Sequence, residues 1–396
     1  MKNILIASFD MEVGGVERSL ISMLENFDYK NYVVDLMLYK HQGDFLELVS
    51  DKVNLLGEVP QYATFRKSIG EILKDKQYSI GLSRVFSKIN AGILGKVKKF
   101  EEPGYYQMQL MWKCALPFLP EVNIQYDVAI SYLWPHYFVA EKVSAKKKIA
   151  WIHTDFSTVE TDIQLDLKMW RKFDYIVAVS EACKTSFLNK YGELKNKVIV
   201  IENITSPEFI REMANRKVDN PMIKDNRFKI LTVARLSHAK GIDNAVKALK
   251  VLKEKGYHDI AWYVVGYGGD ESMIKGLIKE SKLDDSFILL GKKTNPYPFI
   301  KEADIYIQPS RYEGKAVTVG EAQILSKPVM ITKYTTAKSQ VKDGFDGYIT
   351  ELSIEGIVSG VEKLYNNFDM RQKLINNCSN TNYSNSFELN KLYKII

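Results

Sequence analysis

Pro309-Ser310-Arg311-Tyr312-Glu313-Gly314-Lys315-Ala316-Val317-Thr318-Val319-Gly320-Glu321-Ala322 follows a short apolar run ending at Gln308 and leads into a helical pattern. The β-branched run predicts a strand, the Pro/Ser/Gly stretch a loop, and the residues from Val317 onward a helix. Glu313 then sits in the loop and Glu321, eight positions later, one or two turns inside the helix. Two carboxylates are offered to one ligand at different depths, and backbone N–H groups near Lys315, Ala316 and Val317 point into the same space. A strand, a ligand-facing loop and a helix in that order form one unit of a parallel α/β sheet.

Working outward, the same alternation runs from end to end. Strands are expected at Asn3–Ser8, Tyr32–Leu38, Asp127–Ser131, Lys148–His153, Tyr175–Val179 and Lys197–Ile201. A second set is expected at Lys229–Ala234, Ala261–Val265, Phe287–Leu290, Ile305–Pro309 and Pro328–Thr332. Each set suffices for a doubly wound domain. Thr205–Arg227, with Pro207 and Pro221 and no strong periodicity, reads as the linker. The expected organisation is an α/β chain of two Rossmann-like doubly wound parallel-sheet domains, 1–205 and 206–380, facing a central cleft. Residues 381–396 form a closing segment that packs back on the first domain. Length agrees, since 396 residues exceed one ordinary domain.

Composition narrows the function. A hydrophobic fraction of 46% supports real cores and excludes a disordered chain. Three dispersed cysteines, Cys114, Cys183 and Cys378, provide neither a disulfide framework nor a zinc clip. No run approaches the roughly 18 apolar residues of a membrane span. The apolar start Ile4-Leu5-Ile6-Ala7 is stopped by Asp10, too early for a secretory signal, so a cytoplasmic protein is expected.

The formal charge is +7, and residues 61–100 alone carry nine basic residues against two acids, so the rest sums to zero. Apolar residues interleave there at mostly helical spacing, which predicts one or two basic amphipathic helices. Three readings stand: a solvated helical face, an anionic membrane surface on the inner leaflet as partner, or nucleic acid. The last is weakened because no helix-turn-helix, zinc knuckle or RNP-type motif accompanies the charge, and no nucleic-acid partner is expected.

Two more motifs fall after strands. Gly14-Gly15-Val16-Glu17-Arg18-Ser19 follows the opening strand; the glycines allow close backbone approach and the helix start presents N–H groups to an anion. A plain strand-to-helix turn is the competing reading. The loop has neither GxGxxG nor GxxxxGK[ST], which disfavours nicotinamide and Walker-type sites. Val233-Ala234-Arg235-Leu236-Ser237-His238-Ala239-Lys240-Gly241 supplies a planar guanidinium and a point charge, a pair suited to a diphosphate. No D-x-D pair, HxxxH or Cys cluster offers metal ligands, so no metal or other cofactor is expected.

The E-x7-E pattern, the preceding Arg235/Lys240 pair and the Gly-Gly loop together resemble the family 4 retaining glycosyltransferases of the GT-B fold. Val264-Val265-Gly266-Tyr267-Gly268-Gly269 resembles that family's glycine turn, although by itself it reads as a simple turn. Trp151-Ile152-His153-Thr154-Asp155 resembles its histidine motif, and Tyr126-Asp127-Val128-Ala129-Ile130-Ser131-Tyr132 looks like members that build bacterial surface polysaccharides.

The resemblance implies transfer of a sugar from a nucleotide-diphosphate sugar, with UDP the expected nucleotide, to a cell-surface glycan, teichoic acid or lipid-linked acceptor. It implies that Arg235 and Lys240 hold the diphosphate and Gly15, beside Gly14, donates to it. Glu313 would hold the sugar hydroxyls, Glu321 the ribose, and His153 would lie beside the sugar. Gly266, Lys315, Ala316 and Val317 complete the implied donor contacts. Lys315 and Ala316 depart from the family's usual residues, which changes the local shape of the sugar pocket. A sugar-nucleotide epimerase, a phosphorylase or a non-catalytic partner subunit would use a similar scaffold.

Overall fold

The computed structural model describes residues 1–12, 14–97, 103–157, 159–313 and 316–396, apart from the side chains of 94–97 and 103. The chain divides into two compact units, Met1–Thr205 with Asn385–Ile396, and Ser206–Ser384.

The first unit is built on a seven-stranded sheet: β1 (Lys2–Ser8), β2 (Tyr32–Leu38), β3 (Asn54–Leu55), β4 (Val122–Ser131), β5 (Val143–Ile152), β6 (Tyr175–Ala178) and β7 (Val198–Val200). Their order is β3-β2-β1-β4-β5-β6-β7, all parallel. Ile4, Leu5, Ile6, Ala129, Ile130, Ile149 and Ala150 are wholly or almost wholly buried, because helices cover both faces of a parallel sheet. Trp112 stacks on Phe65 at 3.8 Å and anchors the chain between β3 and β4 to the core.

The last twelve residues belong to this unit. Tyr393 stacks on Tyr32 with ring centroids 5.4 Å apart, and Asn385 accepts from the Thr205 N–H at 2.7 Å. Lys147 Nζ donates to the Ile395 carbonyl at 2.8 Å.

The second unit carries β8 (Phe228–Val233), β9 (Ile260–Val265), β10 (Phe287–Gly291), β11 (Ile305–Gln308), β12 (Val329–Thr332) and β13 (Tyr348–Thr350). They are ordered β10-β9-β8-β11-β12-β13 and again parallel. In both sheets the order reverses beside the first strand, between β1 and β4 and between β8 and β11. Successive carboxyl-end loops turn apart at such a point and leave a crevice where ligands bind.

Two strands escape the sequence reading. β3 is only two residues long, both exposed, and β13 only three, so neither shows a usable apolar run; each is held by its neighbour, β2 or β12. The expected linker 205–227 also contains a helix, Pro207–Ala214. Ser206 caps it by accepting from the Phe209 N–H at 3.3 Å, and it buries Ile210, Met213 and Ala214. Its buried side chains recur at three and four residues, but over only two turns the pattern is too short to stand out between Pro207 and Pro221.

Candidate functional site

The loops after β8 and β11 meet at the second unit's switch point. Gly241 makes this approach possible: its φ is +65°, and a Cβ there would stand 2.0 Å from the Pro309 carbonyl oxygen. The Arg311 N–H donates to the Ala239 carbonyl at 2.8 Å. The Arg311 guanidinium forks onto both Asp243 oxygens at 2.7 Å and reaches the His238 carbonyl at 2.7 Å. A bidentate pair of this kind fixes direction as well as distance. Arg311 thus fastens one loop to the other.

So fastened, Lys240 Nζ lies 2.7 Å from both carboxylate oxygens of Glu313. The Glu313 side chain is 5% exposed and that of Lys240 27%. Ser310 Oγ donates to Glu313 Oε1 at 2.6 Å and Gln308 Nε2 at 3.1 Å. The buried Tyr306 hydroxyl donates to Gln308 Oε1 at 2.7 Å, which turns the amide nitrogen toward Glu313. Burial pushes the Tyr306 hydroxyl well above its usual range, so it stays protonated. Arg235, on the same loop as Lys240, is exposed. The result is a nearly buried carboxylate under a detachable ammonium, with a second cation open to solvent. Such a set can take a polyanion on its cations and a hydroxyl on its carboxylate.

Glu321 lies in the helix Val317–Ile324, buried to 2%, and its Oε1 accepts from the Tyr297 hydroxyl at 3.0 Å. Val317 is exposed, whereas the Ala316 N–H is engaged by Gln340 Oε1 at 2.9 Å. Lys315 lies outside the described residues. The Gly266 N–H donates to the Gly291 carbonyl at 2.9 Å. Its φ is +151° and a Cβ would sit 1.8 Å from the Ala234 carbonyl oxygen, so the glycine serves close packing of the β8 and β9 ends.

In the first unit Gly14 precedes the helix Gly15–Glu25, whose start has no side-chain cap. The Glu17 carboxyl folds back here, 2.2 Å from where a Gly14 Cβ would stand. Burial, then the nearby Asp10 charge, raise its pKa against the lowering by its own backbone N–H. Asp10, 1% exposed, pairs with Arg66 at 2.7 Å. His153 follows β5 and packs against the Tyr132 ring at 4.7 Å. It is half-buried, and neither shielded ring nitrogen makes a well-formed hydrogen bond among the described residues. Burial pushes its pKa down to about 3, so the ring is neutral near pH 7. Ser19 and the Tyr132 hydroxyl lie 2.9 Å apart, tying β4 to the helix start.

Sequence reading missed Asp243, Gln308, Ser310, Arg311 and Tyr306. Tyr306, Gln308 and Asp243 lie outside the quoted motifs and meet them through space, while Ser310 and Arg311 lie inside the quoted stretch without a role assigned to them. The one signal available was proximity: Ser310 and Arg311 stand within three residues of Glu313.

Among the described residues no group of three or more His, Cys, Asp or Glu side chains is gathered as a metal site requires.

A doubly wound pair of units with both switch points formed is the architecture of the GT-B proteins. Residues 214–381 match the family described as Glycosyl transferases group 1. An uncharacterized glycosyltransferase of Methanocaldococcus jannaschii is 29% identical over 61% of this chain and 66% of its own length. The capsular polysaccharide biosynthesis glycosyltransferase CapM of Staphylococcus aureus is 26% identical over 51% of this chain and 55% of its own. The chain thus spans less than two thirds of the length of these curated relatives. The crystal structure of Anabaena HepE in complex with UDP and glucose covers 100% of this chain and 99% of its own, with a TM-score of 0.64 at 15% identity, a likeness of fold. The second unit is thus similar to the glycosyltransferases group 1, and both units have the parallel-sheet architecture of the GT-B fold.

Proposed function

We propose that this protein transfers a sugar from a UDP-sugar to a hydroxyl of a cell-surface glycan, teichoic acid or lipid-linked acceptor, with retention and without a metal, forming an α-glycosidic bond. The observation that carries the reading is the Lys240–Glu313 pair at the switch point between β8 and β11, with Arg235 exposed on the same loop. UDP is favoured by the complex of HepE with UDP and glucose, and a surface glycan by the part CapM takes in capsular polysaccharide biosynthesis.

Departure of the diphosphate is the demanding event, so catalysis is electrostatic. Lys240 leaves Glu313 for the diphosphate, and Arg235 joins it there as negative charge grows. Glu313, released, accepts from the sugar hydroxyls, while Ser310 and Gln308 keep its carboxylate in place. The bond from the anomeric carbon to the diphosphate breaks, and the acceptor oxygen bonds on the same face. The acceptor proton passes to the departing diphosphate oxygen. Glu321 takes the ribose hydroxyls, and neutral His153 supplies a ring nitrogen to the transferred sugar. The protein works in the cytoplasm, and segment 61–100 brings it to the inner face of the membrane.

The test is calorimetric titration with UDP and GDP, in chelator, on the parent and on Lys240→Ala. UDP binding that survives the chelator and weakens about tenfold or more in the variant is expected, the worth of one charge-assisted contact. Equal binding by both proteins would remove Lys240 from the donor site.

A further inference from the structure

The helix Tyr78–Val97 is built inside out. The face toward the protein carries Ile80, Ser83, Ser87 and Ala91, all buried. Ser83 and Ser87 hydroxyls return to the Ile80 and Arg84 carbonyls at 2.8 and 2.9 Å. Arg84 lies half-buried on the same side and donates to the Thr64 carbonyl at 2.8 Å. The opposite face carries Leu82, Phe86, Ile89 and Ile93, exposed to 67, 62, 57 and 59%. Their spacing of four, three and four residues makes one continuous ridge about 16 Å long.

Scattered exposed apolar residues are ordinary, whereas a contiguous ridge on a helix that buries serines marks an interaction surface. The ridge is not a loosely attached core face. Tyr62, Phe65 and Ile72, buried to 1, 7 and 0%, fix the preceding chain, so the outward face is held outward.

Charge selects the occupant. From Lys76 to Phe100 the sequence has no Asp or Glu and six basic residues. Lys74 and Lys76, just before the helix, and Lys88 within it are exposed. A second copy of this chain meeting the same face would bring two acid-free basic segments together. An anionic lipid surface complements them, and a helix with an apolar face and cationic flanks lies in the plane of such an interface. Among the described residues no helix is long and apolar enough to cross a membrane.

We propose that the helix Tyr78–Val97 is the membrane-docking element of this protein, laying the Leu82/Phe86/Ile89/Ile93 ridge into the headgroup boundary of an anionic bilayer. The inference deepens the membrane part of the proposed function and names apolar insertion, with charge as the selector of lipid.

The experiment is flotation of the full chain with vesicles of phosphatidylcholine containing about one third phosphatidylglycerol, and with phosphatidylcholine alone. The parent is expected to float with the anionic vesicles only. Leu82→Ser/Phe86→Ser/Ile89→Ser should partition at least about tenfold more weakly while melting no lower than the parent, since these side chains cover no core. Lys74→Glu/Lys76→Glu/Lys88→Glu should weaken binding with the ridge intact. Equal flotation of parent and Ser variant, or no flotation of the parent, overturns the proposal. So does a parent dimer that the Ser variant dissolves, which would assign the ridge to a second copy. UDP titration of the same preparations reports on the donor site separately, so either reading can fail alone.

Discussion

Removing the Lys240 ammonium is the most informative single change, because it tests a structural pair and a ligand site at once. In the parent, Glu313 is 5% exposed and receives the ammonium on both oxygens at 2.7 Å, with Ser310 and Gln308 as its remaining donors. Lys240→Ala leaves that carboxylate without its ammonium, shielded from water and, among the described residues, held by the neutral Ser310 and Gln308 side chains. Breaking a fully buried pair costs about 3–5 kcal/mol. Lys240 is 27% exposed, so water enters when the side chain is cut, and about 2 kcal/mol is the better figure. For a unit of about 180 residues that corresponds to a fall in Tm of roughly 4–8 °C.

Glu313→Gln keeps the shape and removes the charge; Lys240 can then turn to solvent, and the loss should be near 1 kcal/mol. The double variant should be more stable than the sum of the singles by about 1–2 kcal/mol. Thermal and urea denaturation of the four proteins supply the cycle. Glu313→Gln should also bind UDP several-fold more tightly than the parent, because Lys240 no longer has to leave a carboxylate. Additive single effects, or a Lys240→Ala protein melting with the parent, would refute the reasoning that the two charges hold each other in the unliganded protein.

Other perturbations test the scaffold. His136 is fully buried with its Nδ1 2.7 Å from Ser131 Oγ, and burial, then the nearby His153, push it down to about 3. The unfolded ring titrates near 6.5, so stability present above that pH drains away as pH falls toward 3, at up to about 1.4 kcal/mol per pH unit. Urea midpoints between pH 6.5 and 5.5 should fall less steeply in His136→Gln; an unchanged slope would clear this ring of the effect. Gly241→Ala should cost at least about 2 kcal/mol, combining left-handed strain with collision against the Pro309 carbonyl. Gly344→Ala, at φ +70° with nothing within 4 Å of the new Cβ, isolates the strain. If both variants lose the same stability, the loop contact contributes nothing. Arg311→Lys should lose about 1–2 kcal/mol, since an ammonium cannot fork onto Asp243 and also reach the His238 carbonyl. A chemical-denaturation loss below about 0.5 kcal/mol would show the fork to be incidental.

Local pattern carried the fold. Strands buried on both faces must be apolar along their whole length, so β1, β8, β9 and β11 stand out as short β-branched runs, and β–α alternation leaves a parallel sheet as the arrangement that buries them. Glycine and charge just after those strands marked the loops around Gly14, Lys240 and Glu313, because ligand-facing chemistry in such sheets sits at the carboxyl ends. Strand order was another matter. That β8 lies beside β11, and so brings Lys240 to Glu313, depends on contacts between residues 73 positions apart. The same holds for Arg311 on Asp243 and for the close approach of Gly266 to Ala234. In the helix Tyr78–Val97 the sequence pattern and the structure part most clearly. Periodicity reports that one face of a helix is apolar, and burial depends on what the rest of the chain places against it. Here the tertiary structure covers Ser83, Ser87 and Ala91 and leaves Phe86 and Ile89 outside.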